Sequence, residues 1–87
     1  SITIISIFYV IIINMYNNDK HNPPHFHATY QDYKATFDFD GKLLKGSMPQ
    51  NKFKLIVAWA ELHKDELIAN WDLATKKQAL YKIEPLR

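Results

Sequence analysis

The start of the chain is dominated by alternating apolar positions that predict β-structure. From Ile2 to Tyr16 most residues are aliphatic or aromatic, and β-branched isoleucine is the commonest, which favours one or two strands over a helix. Ile11, Ile13 and Met15 share one face by their spacing of two, whereas Val10, Ile12, Asn14 and Tyr16 share the other. Since both faces are largely apolar at the start, we expect this strand to lie in the interior of a sheet.

A second alternating region predicts three further strands. His25 to Tyr30 and Tyr33 to Phe39 flank Gln31-Asp32, which we interpret as the two-residue turn of a hairpin. Asp40-Gly41 is a stronger turn signal, and Lys42 to Gly46 is the predicted returning strand. The middle of the chain is therefore a predicted three-stranded meander.

The apolar spacing changes to a helical period after Gly46. Ser47 to Gln50 fits an S-x-x-Q capping box with proline in the first turn, and helical periodicity runs from Met48 to Lys76. One unbroken helix of that length would be roughly 43 Å long, which is too long for so small a domain. We therefore predict a break at His63 to Asp65, with Asp65 capping the second helix.

These elements predict a fold class. Tyr81 to Glu84 is a candidate last strand before Pro85. With the strands and helices above, it completes an α+β domain: a mostly antiparallel sheet of four to five strands with two helices packed on one face. The length of 87 residues predicts a single domain over residues 1–87.

Composition narrows the function classes. The chain has no cysteine, which excludes disulfides and thiolate metal sites and favours a reducing compartment, so we expect a cytoplasmic protein. The apolar run at the start is shorter than the roughly 20 residues of a transmembrane helix, so we expect no membrane association. A net charge of +2 is too small to predict nucleic-acid binding by itself, although it is compatible with a local basic patch.

The predicted hairpin gathers a polar patch on one face of the sheet. A Gln31-Asp32 turn pairs Phe26 with Phe37 and places both on the core face. The opposite face then carries three cross-strand pairs: Thr29 with Lys34, His27 with Thr36, and His25 with Asp38. The second turn adds Lys45 beside Thr36 and Leu43 beside Asp38 on the same face.

Three uses of this patch remain open. Acid–base chemistry on a phosphodiester would use His25 and His27, with Asp38 orienting His25, and would use Lys45, Lys34 and Thr36 to bind the substrate. Metal binding would use His25 and His27 with His21 or Asp38 as the third ligand. The set of His21, His25 and His27 suits zinc, and a set with one carboxylate suits iron or manganese. The third use is structural, in which the histidines make local hydrogen bonds or form a dimer surface.

The order of motifs resembles a known family over nearly the whole chain. Ile-x-Ile-x-Met at residues 11–15 is followed by the block His-Asn-Pro-Pro-His-Phe-His-Ala at 21–28, and then by Trp59-x-x-Leu62-His63. This order resembles the bacterial family called domain of unknown function 4160. Val10 and Gln31 stand where that resemblance leads us to expect glycine.

The resemblance implies a function class and candidate partners. It implies a small bacterial cytoplasmic protein from a two-gene module of the toxin–antitoxin type. Combined with the histidine patch, it predicts a component that acts on or binds RNA. The candidate partners are RNA, a cognate small protein from the neighbouring gene, and a second copy of this chain.

Overall fold

A single antiparallel sheet carries two helices on one face. The computed structural model describes residues 2–16 and 23–87, and in these the strands follow one another in sheet order from β1 to β5. The strands are β1 (Ile2–Phe8), β2 (Ile11–Tyr16), β3 (His25–Tyr30), β4 (Tyr33–Asp38) and β5 (Leu43–Gly46), and the helices are α1 (Gln50–Leu62) and α2 (Lys64–Thr75). The predicted α+β class, with an antiparallel sheet and two helices, is confirmed.

The core lies between the helices and the face of the sheet that we call the inner face. Strand alternation places every second side chain on this face. On β2 to β4 the buried members are Ile11, Ile13, Met15, Phe26, Ala28, Ala35 and Phe37, and the helices contribute Ile56, Trp59, Ala60, Leu67 and Ala74. Trp59 meets Phe26 edge to face, with ring centroids 5.6 Å apart, so α1 packs directly over the middle of the sheet.

The first hairpin turns tightly through Tyr9 and Val10. Both residues have positive φ, at 50° and 65°, which is the requirement of the type I′ turn that suits a two-residue hairpin. A β-branched residue in this conformation is an outlier, because its Cβ crowds the following carbonyl. The position where the motif resemblance leads us to expect glycine is therefore one where the backbone favours glycine.

The second hairpin has the predicted register. Its pairs run from Tyr30 with Tyr33 at the turn to His25 with Asp38 at the far end. Gln31 is the other position where the motif resemblance leads us to expect glycine, and it also has a positive φ, at 53°. The two-residue turn at Gln31-Asp32 is confirmed.

The third hairpin departs from the predicted register at one end. Lys45 pairs with Thr36 as predicted, but Leu43 pairs with Phe37, because a bulge shifts the register between Thr36 and Phe37. The pairing of Leu43 with Asp38 was therefore wrong. Gly46 is required where β5 meets β4, since a Cβ there would lie 2.1 Å from the Lys34 carbonyl oxygen.

The helix break is confirmed, but both predicted caps were wrong. Pro49 is the N-cap of α1 and makes no side-chain cap hydrogen bond. Ser47 is held by the sheet instead, where its backbone N–H donates to the Lys34 carbonyl at 3.2 Å. The chain breaks at His63, which is the N-cap of α2, and Asp65 lies in the first turn of that helix rather than capping it.

The C-terminal segment is pinned to the domain without forming the predicted strand at Tyr81 to Glu84. The side chain of Asn70, which is 2% exposed, donates to the Tyr81 carbonyl at 2.8 Å and accepts from the Tyr81 N–H at 2.9 Å. The Ile83 N–H donates to the Ile5 carbonyl of β1 at 2.7 Å. Trp59 Nε1 donates to the Glu84 carbonyl at 2.9 Å. Three of these four hydrogen bonds use a side chain rather than a strand ladder.

Neither helix could span a membrane. Across residues 2–16 and 23–87, no helix has the length and apolar character that a membrane span requires.

We expect Val10→Gly to stabilise the domain. Glycine adopts positive φ without the Cβ clash, so the free energy of unfolding should rise by about 1 kcal/mol. Urea unfolding followed by circular dichroism measures the change. Val10→Ala is the matched control, because it shortens the side chain but keeps the Cβ, and it should give little of the gain. A glycine variant less stable than the wild type would contradict the turn geometry.

Asn70→Ala should loosen the C-terminal segment. The substitution leaves the N–H and carbonyl of Tyr81 without their side-chain partners, which should lower the free energy of unfolding by about 2 kcal/mol. Limited proteolysis should then cut the segment after Thr75 faster than in the wild type. Asn51→Ala, at an exposed position on α1, should change neither measurement; equal effects of the two substitutions would contradict the clamp.

Candidate functional site

The polar patch predicted from the sequence lies on the outer face of the sheet, opposite the helices. Phe26 and Phe37 are fully buried on the inner face, so alternation turns their neighbours His25, His27 and Thr36 outward. The register places His27 opposite Thr36 and His25 opposite Asp38. The strand alternation on which the site depends is thus present in the structure.

An open depression extends across this outer face from the start of β1 to β5, and we call it the basic depression. Its volume is about 500 Å³. It brings together the predicted residues His27, Lys34, Thr36 and Lys45. The remaining lining residues are Ile2, Asn14, Tyr16, Ala28, Thr29, Ala35 and Gly46.

The charge of the basic depression comes from its two lysines. Lys34 and Lys45 are both exposed, and none of the described residues that line the depression is acidic. Each ammonium can donate three hydrogen bonds and accept none. The surface is therefore suited to an anionic ligand that also contacts the hydroxyl and amide groups of Thr29, Thr36 and Asn14.

The two histidines belong to a row of aromatic rings. The ring centroid of His27 lies 4.8 Å from that of Tyr16 and 5.1 Å from that of His25, in both cases edge to face. His25 in turn lies 5.2 Å from Trp71 of α2. The row therefore links the outer face to the second helix at the end of the sheet.

Hydrogen bonds fix the orientation of both imidazoles. His27 Nδ1 lies 3.2 Å from Thr36 Oγ1, and its Nε2 atom is buried. His25 Nδ1 lies 2.9 Å from the Pro23 carbonyl oxygen. A carbonyl can only accept, so Nδ1 of His25 carries the proton. The stiff Pro23-Pro24 dipeptide thus orients the first histidine of β3.

Asp38 lies opposite His25 but its carboxylate holds the turn. Asp38 Oδ1 accepts hydrogen bonds from the backbone N–H groups of Asp40 and Lys42, each at 2.9 Å. This is the local side-chain-to-backbone pattern that favours aspartate in turns. The role of Asp38 in orienting His25 stays a prediction.

The metal set predicted from His21, His25 and His27 is only partly within the described chain. His21 lies outside the described residues. Within residues 2–16 and 23–87, no group of three or more histidine, aspartate or glutamate side chains is arranged to hold a metal ion. Binding of zinc, manganese or iron by the three histidines stays a prediction.

The sequence alone did not identify Asn14 and Tyr16 as site residues, and it placed Thr29 on the face of the polar patch without assigning it a role. Asn14 interrupts the apolar run of β2, and this polar exception is the feature of the sequence that could have identified it as a site residue. Its pairing with His27 across β2 and β3 brings it to the depression. Eight residues separate β2 from β3, so no short turn fixes their register. The sequence therefore could not predict which residues of β2 lie opposite β3.

Comparison with known proteins identifies the family. The family model described as Domain of unknown function (DUF4160) matches residues 11–72, which extend from β2 into α2 and contain the block at 21–28. No curated protein and no solved structure matches the chain. The matched range exceeds half of the sequence, and the chain belongs to the DUF4160 family, a domain of unknown function.

Proposed function

We propose that this domain binds single-stranded RNA in the basic depression of its outer face. The observation that carries the proposal is the composition of the lining: Lys34 and Lys45 are exposed, Tyr16 presents a half-exposed ring, and none of the described lining residues is acidic. Lysines contact phosphates, and an aromatic ring on a sheet provides a surface on which a base stacks.

The number of lysines favours a single strand over a duplex. Duplex binders typically neutralise many phosphates, and each neutralised phosphate adds to the salt dependence of binding. Two lysines supply only a small electrostatic contribution, so stacking and hydrogen bonding must supply the rest. Both are available to unpaired bases, whose faces and edges are accessible.

The histidines support the proposed surface by shaping it. The His27 ring lies between Tyr16 and His25, and its contact with Thr36 fixes the plane against which Tyr16 packs. The buried Nε2 atom favours this positioning role over proton transfer at that nitrogen. Catalysis by His25, His27 and Asp38 stays a prediction.

The motif resemblance supports a biological setting for this proposal. In this proposal the domain is one component of a two-gene module of the toxin–antitoxin type, and RNA is the molecule on which the module acts. The support for this setting is the order of sequence motifs, whereas the support for RNA is the chemistry of the basic depression.

Substituting either lysine of the depression should weaken RNA binding and reduce its salt dependence. Fluorescence anisotropy with a labelled single-stranded RNA of about ten nucleotides measures both. Lys34→Ala and Lys45→Ala should each raise Kd by roughly five- to tenfold and lower the salt slope by about 0.7. Lys54→Ala, at an exposed position on α1, is the matched control and should change neither quantity. Equal losses at all three lysines would show that binding is non-specific and would overturn the proposal.

Tyr16→Ala should weaken RNA binding without changing its salt dependence. Loss of one base-stacking contact should raise Kd by about tenfold, and the salt slope should stay constant because no charge is removed. Tyr33 has nearly the same exposure as Tyr16, 42% against 39%, but its side chain lies on the inner side of the sheet. Tyr33→Ala is therefore the control, and an unchanged Kd for Tyr16→Ala would exclude stacking at this site.

A further inference from the structure

The β1–β2 half of the outer face is apolar and exposed. Ile2 and Ile4 of β1 lie opposite Tyr16 and Asn14, and Ile7 lies opposite Ile12, so all of them share the outer face. Ile2 is 53% exposed and Ile7 is 54% exposed. We call this surface the apolar strip; it comprises Ile2, Ile4, Ile7 and Ile12, with Tyr9 and Val10 at the tip of the hairpin.

The apolar strip carries no charge. The sequence from residue 1 to residue 18 contains no lysine, arginine, histidine, aspartate or glutamate. A charged partner would find no complementary group there and would lose solvation on docking. An uncharged apolar surface is the complementary partner, and a second copy of this chain supplies an identical one.

The hairpin tip indicates that the strip contacts a partner. Val10 is 73% exposed and has a φ of 65°, so in the monomer it combines an unfavourable backbone with little burial. Strained positions persist where another requirement offsets their cost. Burial of the Val10 and Tyr9 side chains against a second molecule provides such an offset.

The edge of β1 is less suited to this contact than the face. A register shift interrupts the strand between Ile4 and Ser6, and the carbonyl of Ile5 already accepts the Ile83 N–H. A bulge and an occupied acceptor in the middle of an edge strand both oppose the addition of another strand. The face of β1 and β2 is therefore the surface that a second copy can cover.

We propose that two copies of this chain associate through their apolar strips, face to face about a twofold axis that runs along the β1–β2 hairpins. Such an axis brings the same patch of both copies together and resembles the packing of two sheets in a sandwich. Ile2, Ile4 and Ile7 are 53%, 39% and 54% exposed, and contiguous exposed apolar patches on a soluble domain mark contact surfaces. A standard complex buries about 20 to 30 residues on each side, whereas the strip has six, so we expect a weak dimer.

The charge distribution selects this orientation of the axis. Neighbouring strands lie about 4.8 Å apart, so Lys45 on β5 lies roughly 16 Å from the midline of the first hairpin. An axis along the hairpins places the β5 edges of the two copies on opposite sides of the dimer, roughly 30 Å apart. This distance exceeds the Debye length of about 10 Å at 0.1 M salt, so repulsion between the lysines of the two copies is screened. An axis across the strands would instead place one basic depression over the other.

Sedimentation velocity over about 1 to 500 μM protein tests the proposal. The wild type should show a reversible dimer with Kd on the order of micromolar, and Ile7→Lys should raise that Kd by about 100-fold or more, since a twofold dimer contains the substitution twice. Ile68→Lys is the matched control, because Ile68 is 50% exposed but lies on α2. It should leave Kd unchanged.

Val10→Gly separates the loss of the dimer from a loss of folding. This variant should unfold at higher denaturant than the wild type and yet dimerise about tenfold more weakly. A monomeric wild type across the whole range, or equal weakening by Ile7→Lys and Ile68→Lys, would overturn the dimer through this strip. A Val10→Gly protein that dimerises as tightly as the wild type would remove the hairpin tip from the interface.

Discussion

The packing of Phe26 against Phe37 fixes the geometry on which the rest of this domain depends. Their rings stack across the β3–β4 pair at 5.6 Å, and both side chains are fully buried beneath α1. Because a strand alternates with a period of two, a slip of one residue between β3 and β4 would move either His27 or Lys34 into the core. Burying such groups without partners costs several kcal/mol, so the hydrophobic pairing determines which side chains face solvent.

Several turns of this domain place residues other than glycine in backbone conformations that favour glycine. Tyr9, Val10, Gln31 and Lys77 all have positive φ. The last of these closes a helix C-terminus in which the Gln78 N–H donates to the Leu73 carbonyl, as in a Schellman motif. A chain of 87 residues has a thin core, and the clamp made by Asn70 and Trp59 on the C-terminal segment helps to offset these local costs.

The outer face has two halves of different chemistry. Neutral isoleucines cover β1 and β2, whereas β3 to β5 present hydroxyls, imidazoles and the ammonium groups of Lys34 and Lys45. Tyr16 and Asn14 lie at the boundary, on a strand whose other residues on that face are apolar. The two surfaces meet at Ile2, which belongs to the apolar strip and also lines the basic depression, so a second copy on the strip would lie next to a ligand bound at Tyr16 and Asn14.

Local rules determined a large part of this structure from the sequence alone. The turn residues and the period of two were sufficient for the register of β3 and β4, and for the outward direction of His25 and His27, because a two-residue turn defines every pair that follows it. The helical period and the limited size of the domain were sufficient for the break at His63. These predictions depend only on residues that are close together in the sequence.

Tertiary structure decided the remaining features, which depend on contacts between distant residues. The apolar character of both faces of the first strands predicted a position in the interior of the sheet, but β1 is an edge strand. The helices cover one face and leave Ile2 and Ile7 exposed. The bulge that moved Leu43 opposite Phe37 and the capture of Tyr81 by Asn70 likewise depend on how separate elements fit together. The outward direction of the predicted site residues therefore follows from alternation within the β3–β4 hairpin. The positions of Asn14 and Tyr16 beside them follow from the pairing of β2 with β3, which no turn rule predicts.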